Sequence, residues 1–270
     1  MRDWSAISGN PSHVFKSGGS YPLGVAVTLS EIAHVIVSNS GSHKVDILSL
    51  TDGHVVRTIG TEGTAQCQFS NPLGVSVDPQ NGHLWVSDSS NHRIQVFTEE
   101  GHFVRMFSCC RRPSSIVFLS NGEVVVASRS TKQLHVYTPE GVFCRSFGSF
   151  GDPWQVAVVL MEGVGKDQLA VSDWRNNCVQ IISAADGGVI RTLSTVDRPV
   201  GVVVTPDQYV IVIENGKDSV AVFSPQGEHV HQWGSRGNAP GQFVWPYYAA
   251  LLPDGRVAIA DSGNDRIQLF

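Results

Sequence analysis

The chain has 270 residues, Lys+Arg 19 against Asp+Glu 24, a net charge of −5 and only 16% charged residues. Soluble domains average about 25% charged, so 41% hydrophobic residues with 27 glycines and 13 prolines describe a turn-rich globular chain and exclude a disordered one. The absence of any run of about 18 apolar residues excludes a transmembrane helix, and the net acidity excludes a uniformly basic nucleic-acid binder.

The five cysteines (Cys67, Cys109, Cys110, Cys144, Cys178) are odd in number and irregularly spaced. They fit neither a disulfide framework nor a CxxC metal pair. The stretch Met1-Arg2-Asp3-Trp4-Ser5 has no long apolar region, so no secretory leader is read there. The expected setting is a reducing cytoplasm, with no membrane partner.

The first predicted element lies in residues 12–19, Ser-His-Val-Phe-Lys-Ser-Gly-Gly, a strand followed by a glycine turn. From Pro22 onward one unit recurs, starting at Pro22, Pro72, Pro113, Pro153, Pro199 and Pro246, with spacings of 50, 41, 40, 46 and 47 residues. A second anchor keeps the same register. A small or polar residue ends an apolar strand, and an apolar residue follows at a fixed offset: Asn39/Val45, Asp88/Ile94, Ser128/Leu134, Asp173/Val179, Glu214/Val220 and Asp261/Ile267.

Each unit reads as four short strands, a to d. In the second these are Gly74–Val77, His83–Ser87, Arg93–Phe97 and Phe103–Phe107, separated by turns such as Asn81-Gly82 and Glu100-Gly101. Four strands per unit of this length is the signature of a propeller blade. The last unit stops at Phe270, after its strand c. Residues 12–19 match the missing strand d, so they are expected to complete the last blade and close the ring, which removes open sheet edges. The predicted fold is all-β: a single six-bladed β-propeller over residues 1–270, with blades starting near 22, 72, 113, 153, 199 and 246.

The runs Asp88-Ser-Ser-Asn-His-Arg-Ile-Gln-Val-Phe97 and Asp261-Ser-Gly-Asn-Asp-Arg-Ile-Gln-Leu-Phe270 resemble the NHL repeat, with Asn91-His92 nearest to its eponymous motif. Four other units carry Lys44, Gln133, Cys178 and Ser219 where these have arginine. The resemblance implies an NHL-type propeller such as those at the C-terminus of tripartite-motif and other RING-type ubiquitin ligases. These serve as scaffolds that bind substrate proteins or, in several cases, structured RNA. The chain itself contains no RING, B-box or coiled-coil segment.

The repeated residues are read as architecture. Asp88 with Arg93, and Asp261 with Arg266, bracket the b–c turn. The repeated proline sets φ at the start of strand a, and Gly24, Gly74 and Gly201 relieve crowding near the axis. Function is sought where the repeat is broken. The d–a and b–c loops are expected to share one face around the channel mouth. There the candidate binding residues are Arg111, Arg112, Arg129, Trp154, Trp174, Arg175, Arg198, Lys217, Trp245 and Tyr247. Trp154-Gln155 and Tyr247-Tyr248 replace Leu-Gly or Val-Gly, and Trp174-Arg175, read as exposed, replaces a small turn. Arginine and aromatic residues anchor protein interfaces, and they also stack on bases and pair with phosphates. The competing reading has Trp154 and Tyr247 plug the channel while the arginines are solvated or pair with Asp152, Asp173 and Asp197.

The expected function is therefore non-catalytic recognition of a protein or peptide by a monomeric ring, with RNA binding through the Arg/Trp rim as the alternative. A third reading is a metal-dependent lyase or lactonase. Related six-bladed propellers, the peptide-amidating lyase among them, hold zinc through histidines near the starts of inner strands. Here no histidine follows any repeat proline at those positions, so no metal, cofactor or catalytic residue is assigned. The sequence also shows no GxSxG elbow and no P-loop. Cys109-Cys110, beside Arg111-Arg112, has no identifiable histidine partner.

Overall fold

The computed structural model describes residues 4, 9–28, 30, 33–159, 167–194 and 196–270. The stretch Met1–Ser5, read above for a leader, lies outside them apart from Trp4. Six four-stranded antiparallel sheets each run in the order a-b-c-d. The a strands, Pro22–Val27, Pro72–Val77, Pro113–Phe118, Pro153–Val159, Pro199–Val204 and Pro246–Leu251, each open on the repeat proline. Each packs against the next around a complete ring. In the second blade, strands b, c and d are Leu84–Asp88, Arg93–Phe97 and Phe103–Ser108.

Strand a has no inner neighbour to hydrogen-bond, so its packing is set by how closely adjacent a strands approach. A Cβ on Gly24 would lie 2.1 Å from the Leu73 carbonyl oxygen, and one on Gly74 would lie 2.2 Å from that of Ser114. Only glycine allows this approach. The serine near the end of strand b reinforces it. The Gly74 N–H donates to Ser87 Oγ (2.7 Å), and that hydroxyl lies 3.3 Å from the Ser114 carbonyl of the next blade. Strands b and c are sandwiched between neighbouring blades, which is why Val124–Ser128 and Val210–Glu214 are buried throughout and read as continuous apolar runs.

Strand d forms the perimeter and is exposed on its outer side. Its arginine reaches the c–d turn of the following blade: Arg105 donates to the Pro139 carbonyl, and Arg191 donates to that of Pro225 (2.5 Å). Beneath each such turn sits the last aromatic or aliphatic residue of the preceding strand d, as with Phe107 under Gly141 and Phe147 under Gly187. Strand His13–Lys16 pairs with Arg266–Leu269, Phe15 lying opposite Ile267. The last blade therefore has no c–d hairpin to cover Trp233. Phe270, 5.8 Å away between ring centroids, packs there instead, and the buried Trp4 lies in the same core cluster.

Candidate recognition face

The d–a and b–c loops lie on one face, tied by backbone bonds such as Ser90 N–H to Ser70 O (3.0 Å) and Trp174 N–H to Asp152 O (3.1 Å). The last residue of every b–c turn, His43, His92, Lys132, Asn177, Asp218 and Asp265, has positive φ. So do Tyr21, Asn71, Arg112, Arg198 and Trp245, each preceding a repeat proline. Left-handed backbone is unfavourable for non-glycine residues, and proline disfavours helical φ/ψ in the residue before it. A recurring latch offsets this. The b–c residue of one blade accepts the N–H of the pre-proline residue of the next: Asn71 to His43 Nδ1 (3.1 Å), Arg112 to His92 Nδ1 (3.2 Å), Arg198 to Asn177 Oδ1 (2.9 Å), Trp245 to Asp218 Oδ1 (2.7 Å) and Tyr21 to Asp265 Oδ1 (2.7 Å). The Lys132 side chain has no acceptor to offer, only its carbonyl taking the Phe150 N–H (3.0 Å), and at that junction Asp152 lacks the positive φ. The latches turn Tyr21, Asn71, Arg112, Arg198 and Trp245 outward to solvent.

The buried residue that ends strand b holds the d–a loop. Ser70 N–H donates to Asp88 (2.8 Å), Gly151 and Asp152 N–H to Asp173 (2.9 Å each), Asp197 N–H to Glu214 (2.9 Å) and Val244 N–H to Asp261 (2.8 Å). In the second and sixth blades an arginine completes the site. Arg93 Nε donates to Asp88 at 2.7 Å, and its remaining N–H groups reach the carbonyls of Thr64, Ala65 and Gln68. Arg266 does the same with Asp261 at 2.6 Å and the carbonyls of Asn238, Ala239 and Gln242. Both pairs are nearly or wholly buried and fully hydrogen-bonded, the condition under which a buried ion pair is tolerated.

The channel mouth is filled. The Arg129 guanidinium lies 3.7 Å above the Trp154 ring and is clamped by both carboxylate oxygens of Asp152 at 2.9 and 2.8 Å. Trp154 meets Tyr247 at 5.1 Å, and Tyr247 meets Tyr21 at 6.2 Å. Beneath them two side chains tie separate blades together across the channel. Tyr248 Oη donates to the Trp154 carbonyl (2.9 Å) and lies 3.1 Å from that of Ser114. Gln155 Nε2 donates to the Ala249 carbonyl (2.7 Å), and its Oε1 accepts the N–H groups of Val202 and Ala249 (3.0 and 3.1 Å). Burial, then the neighbouring Tyr21, pushes the Tyr247 phenol up to about 12, and burial pushes Tyr248 higher still. Below the plug the channel holds a cavity of about 220 Å³ lined mainly by the a strands, including Val27, Val77 and Val117.

The candidate binding residues thus fall into distinct settings. Trp154 is buried in the plug with Tyr247 half-buried beside it, and Arg129 is paired there. Lys217 pairs with the buried Glu214 (2.8 Å). Trp174 was read as exposed; it is half-buried, because its ring packs against the core cluster that includes Trp154. Trp245 is 45% exposed. Arg111, Arg112, Arg175 and Arg198 are exposed, as is Lys132, and among the described residues none of these five has a carboxylate within ion-pair distance. The sequence gives no sign of the latch acceptors or of the channel-bridging roles of Gln155 and Tyr248, although both of those residues stand where the repeat breaks.

Among the described residues, no three His, Cys, Asp or Glu side chains come together as a metal set, and no helix is long and apolar enough to cross a membrane. The five cysteines are free thiols.

The NHL repeat family profile matches residues 69–97, from the d–a loop through strand c of the second blade. Protein brain tumor of Drosophila melanogaster is 42% identical over 60 residues, 22% of this chain and 6% of that protein. E3 ubiquitin-protein ligase NHLRC1 of Rattus norvegicus is 30% identical over 77 residues, 28% of this chain and 19% of that one. The chain therefore matches under a fifth of either relative's own length. Among solved structures, a virginiamycin B lyase from Staphylococcus aureus superimposes with a TM-score of 0.67 at 13% identity, over 95% of this chain and 84% of that one. The WD40 propeller of Doa1 superimposes with a TM-score of 0.66, also at 13% identity, over 92% and 78%. Identities this low speak to the fold alone. The repeat profile and the six closed blades agree: the chain is a six-bladed β-propeller that carries an NHL repeat.

Proposed function

We propose that this propeller is a non-catalytic recognition module that binds a protein or peptide partner, in the cytoplasm, across the face built by its d–a and b–c loops. The observation that carries the reading is the set of five cations that have no carboxylate partner among the described residues, on one half of a latched, rigid face. The loops 109–112, 129–132, 148–152, 174–177, 194–198 and 215–218 hold seven Lys or Arg against Asp152, Asp197 and Asp218, in a chain whose net charge is −5. Asp152 and Asp218 are already bound to Arg129 and Arg236. A preorganised face with unmatched charge favours association with a complementary partner. One relative is named as a ubiquitin ligase, and in such a setting the propeller would select what the ligase modifies.

A photocrosslinking residue at position 132 in the full chain, compared with one at position 140 in a c–d turn of the opposite face, tests the reading. Partners crosslinked from 132 and not from 140 support it; equal yields, or none from 132, count against it. Charge reversal at Arg112, Arg175 and Arg198 together is expected to abolish the crosslinks. RNA is the second reading, favoured by the same cations. Binding to RNA that weakens steeply with salt would establish it, since phosphate contacts release counterions. Stoichiometric zinc or calcium in purified protein would instead revive the enzyme reading.

A further inference from the structure

Among the described residues, three Arg/Trp pairs stand on the recognition face, and they differ in one respect. Arg129 lies over Trp154 at 3.7 Å, with Asp152 on its guanidinium. Arg236 lies over Trp245 at 5.9 Å, with Asp218 on its guanidinium at 3.2 Å. Arg198 lies over Trp174 at 5.8 Å, and among the described residues no carboxylate comes within 4.0 Å of it. The indole holds each guanidinium through its face and leaves the in-plane N–H fork for an anion. Twice the chain itself places an aspartate on that fork.

From this we infer that Arg198 on Trp174 receives a carboxylate from the partner, so that the module recognises an acidic peptide segment bearing Asp or Glu side chains. The inference rests on the face assignment proposed above and adds the partner's chemistry. Arg198 is prepared for the role, since its backbone is fixed by the Asn177 latch (2.9 Å) and its side chain by the ring. The adjacent Asp197 does not cap it. Its carboxylate lies against Gly216 of the next b–c turn, where an added Cβ would be 2.6 Å from it. Arg175, next to Trp174 and exposed, adds a second positive charge beside the fork. Base stacking is less well served, because the Trp154 and Trp174 rings each already carry a guanidinium of the chain.

The test titrates the full chain with fluorescein-labelled hexaglutamate and hexaglutamine peptides, and separately with a labelled uridine oligonucleotide, at one salt concentration. Hexaglutamate is expected to bind and hexaglutamine not to bind. Arg198→Gln and Trp174→Ala should each weaken hexaglutamate binding by roughly five- to tenfold, the scale of one charge-assisted contact. Arg198→Lys should weaken it less, and Arg256→Gln on the opposite face should leave it unchanged. Arg198 is exposed, so its variants are expected to fold; equal thermal midpoints check this. Hexaglutamate affinity indifferent to Arg198→Gln overturns the inference, as does no hexaglutamate binding. Tighter binding of the oligonucleotide, lost in the same variant, overturns it in favour of RNA. If crosslinking from position 132 succeeds while hexaglutamate fails, only the acidic-peptide inference falls; if both fail, the face assignment falls with it.

Discussion

The second and sixth blades build their part of the recognition face differently from the third to fifth. Ahead of strand a they carry long d–a loops, residues 60–71 and 234–245, while the third to fifth blades have only residues 109–112, 148–152 and 194–198. A long loop brings many backbone carbonyls to a site with little water, and Arg93 and Arg266 satisfy three of them each while pairing with a buried aspartate. A short loop presents no such set, and the same position is free to become Gln133, Cys178 or Ser219. The repeat's arginine therefore serves the loop in front of its blade as well as the b–c turn. Where it is absent, the face is left to arginines that point outward.

The largest expected effect breaks the clamped side. Asp88→Ala strands Arg93 without its counter-ion and orphans the Ser70 N–H, which should cost about 3–5 kcal/mol of stability in urea unfolding. Cys178→Ala, at the equivalent of Arg93, should cost about 1 kcal/mol or less. Equal losses at the two positions would mean that the clamp is not what separates these blades.

Next is the plug, where both sides meet. Trp154→Ala removes the ring between Arg129 and Tyr247 and should cost about 3 kcal/mol or more. Trp154→Phe should cost less than about 1.5 kcal/mol, because among the described residues the buried indole N–H has no acceptor to lose. If the two variants unfold alike, the plug contributes no packing.

The latches sharpen the comparison within the unclamped blades. Asn177→Ala should cost about 1 kcal/mol and speed hydrogen exchange at the Arg198 amide, whereas Lys132→Ala, at a junction without a latch, should leave exchange in the 148–152 loop unchanged. Equal changes in both would refute the latch.

The smallest effect is alkaline. Tyr247 ionises near 12 in the folded protein, above the ordinary value of 10. A raised pKa means that the fold favours the neutral phenol, so this contribution is complete below pH 10 and lost as pH rises through about 12. Thermal midpoints between those limits should fall less in Tyr247→Phe than in the native protein. Parallel curves would remove Tyr247 from the account.

Much of the fold was legible because it is repeated. Six prolines in one register, a glycine two residues on in three of the units, and apolar runs separated by glycine turns leave few alternatives to a propeller. The missing strand d after Phe270 and the spare strand in residues 12–19 could be matched on pattern alone. The site was legible only as a list of departures. Trp154, Gln155, Tyr247 and Tyr248 stand out because they break the repeat. That Tyr248 of blade six reaches the carbonyls of Ser114 and Trp154, in blades three and four, and that Gln155 reaches blades five and six depends on the closing of the ring, which brings these residues together although they lie far apart in sequence.

The sequence by itself determined the blade count, the closure and which positions depart from the repeat, because these follow from local strand and turn preferences recurring at a fixed period. Only the tertiary structure decided which charges are satisfied. Asp152 meets Arg129 and Asp218 meets Arg236, while Asp197, beside Arg198 in the chain, faces Gly216. A net charge of −5 is a sum over residues, but an ion pair is a distance, and distances between blades are set by the closing of the ring.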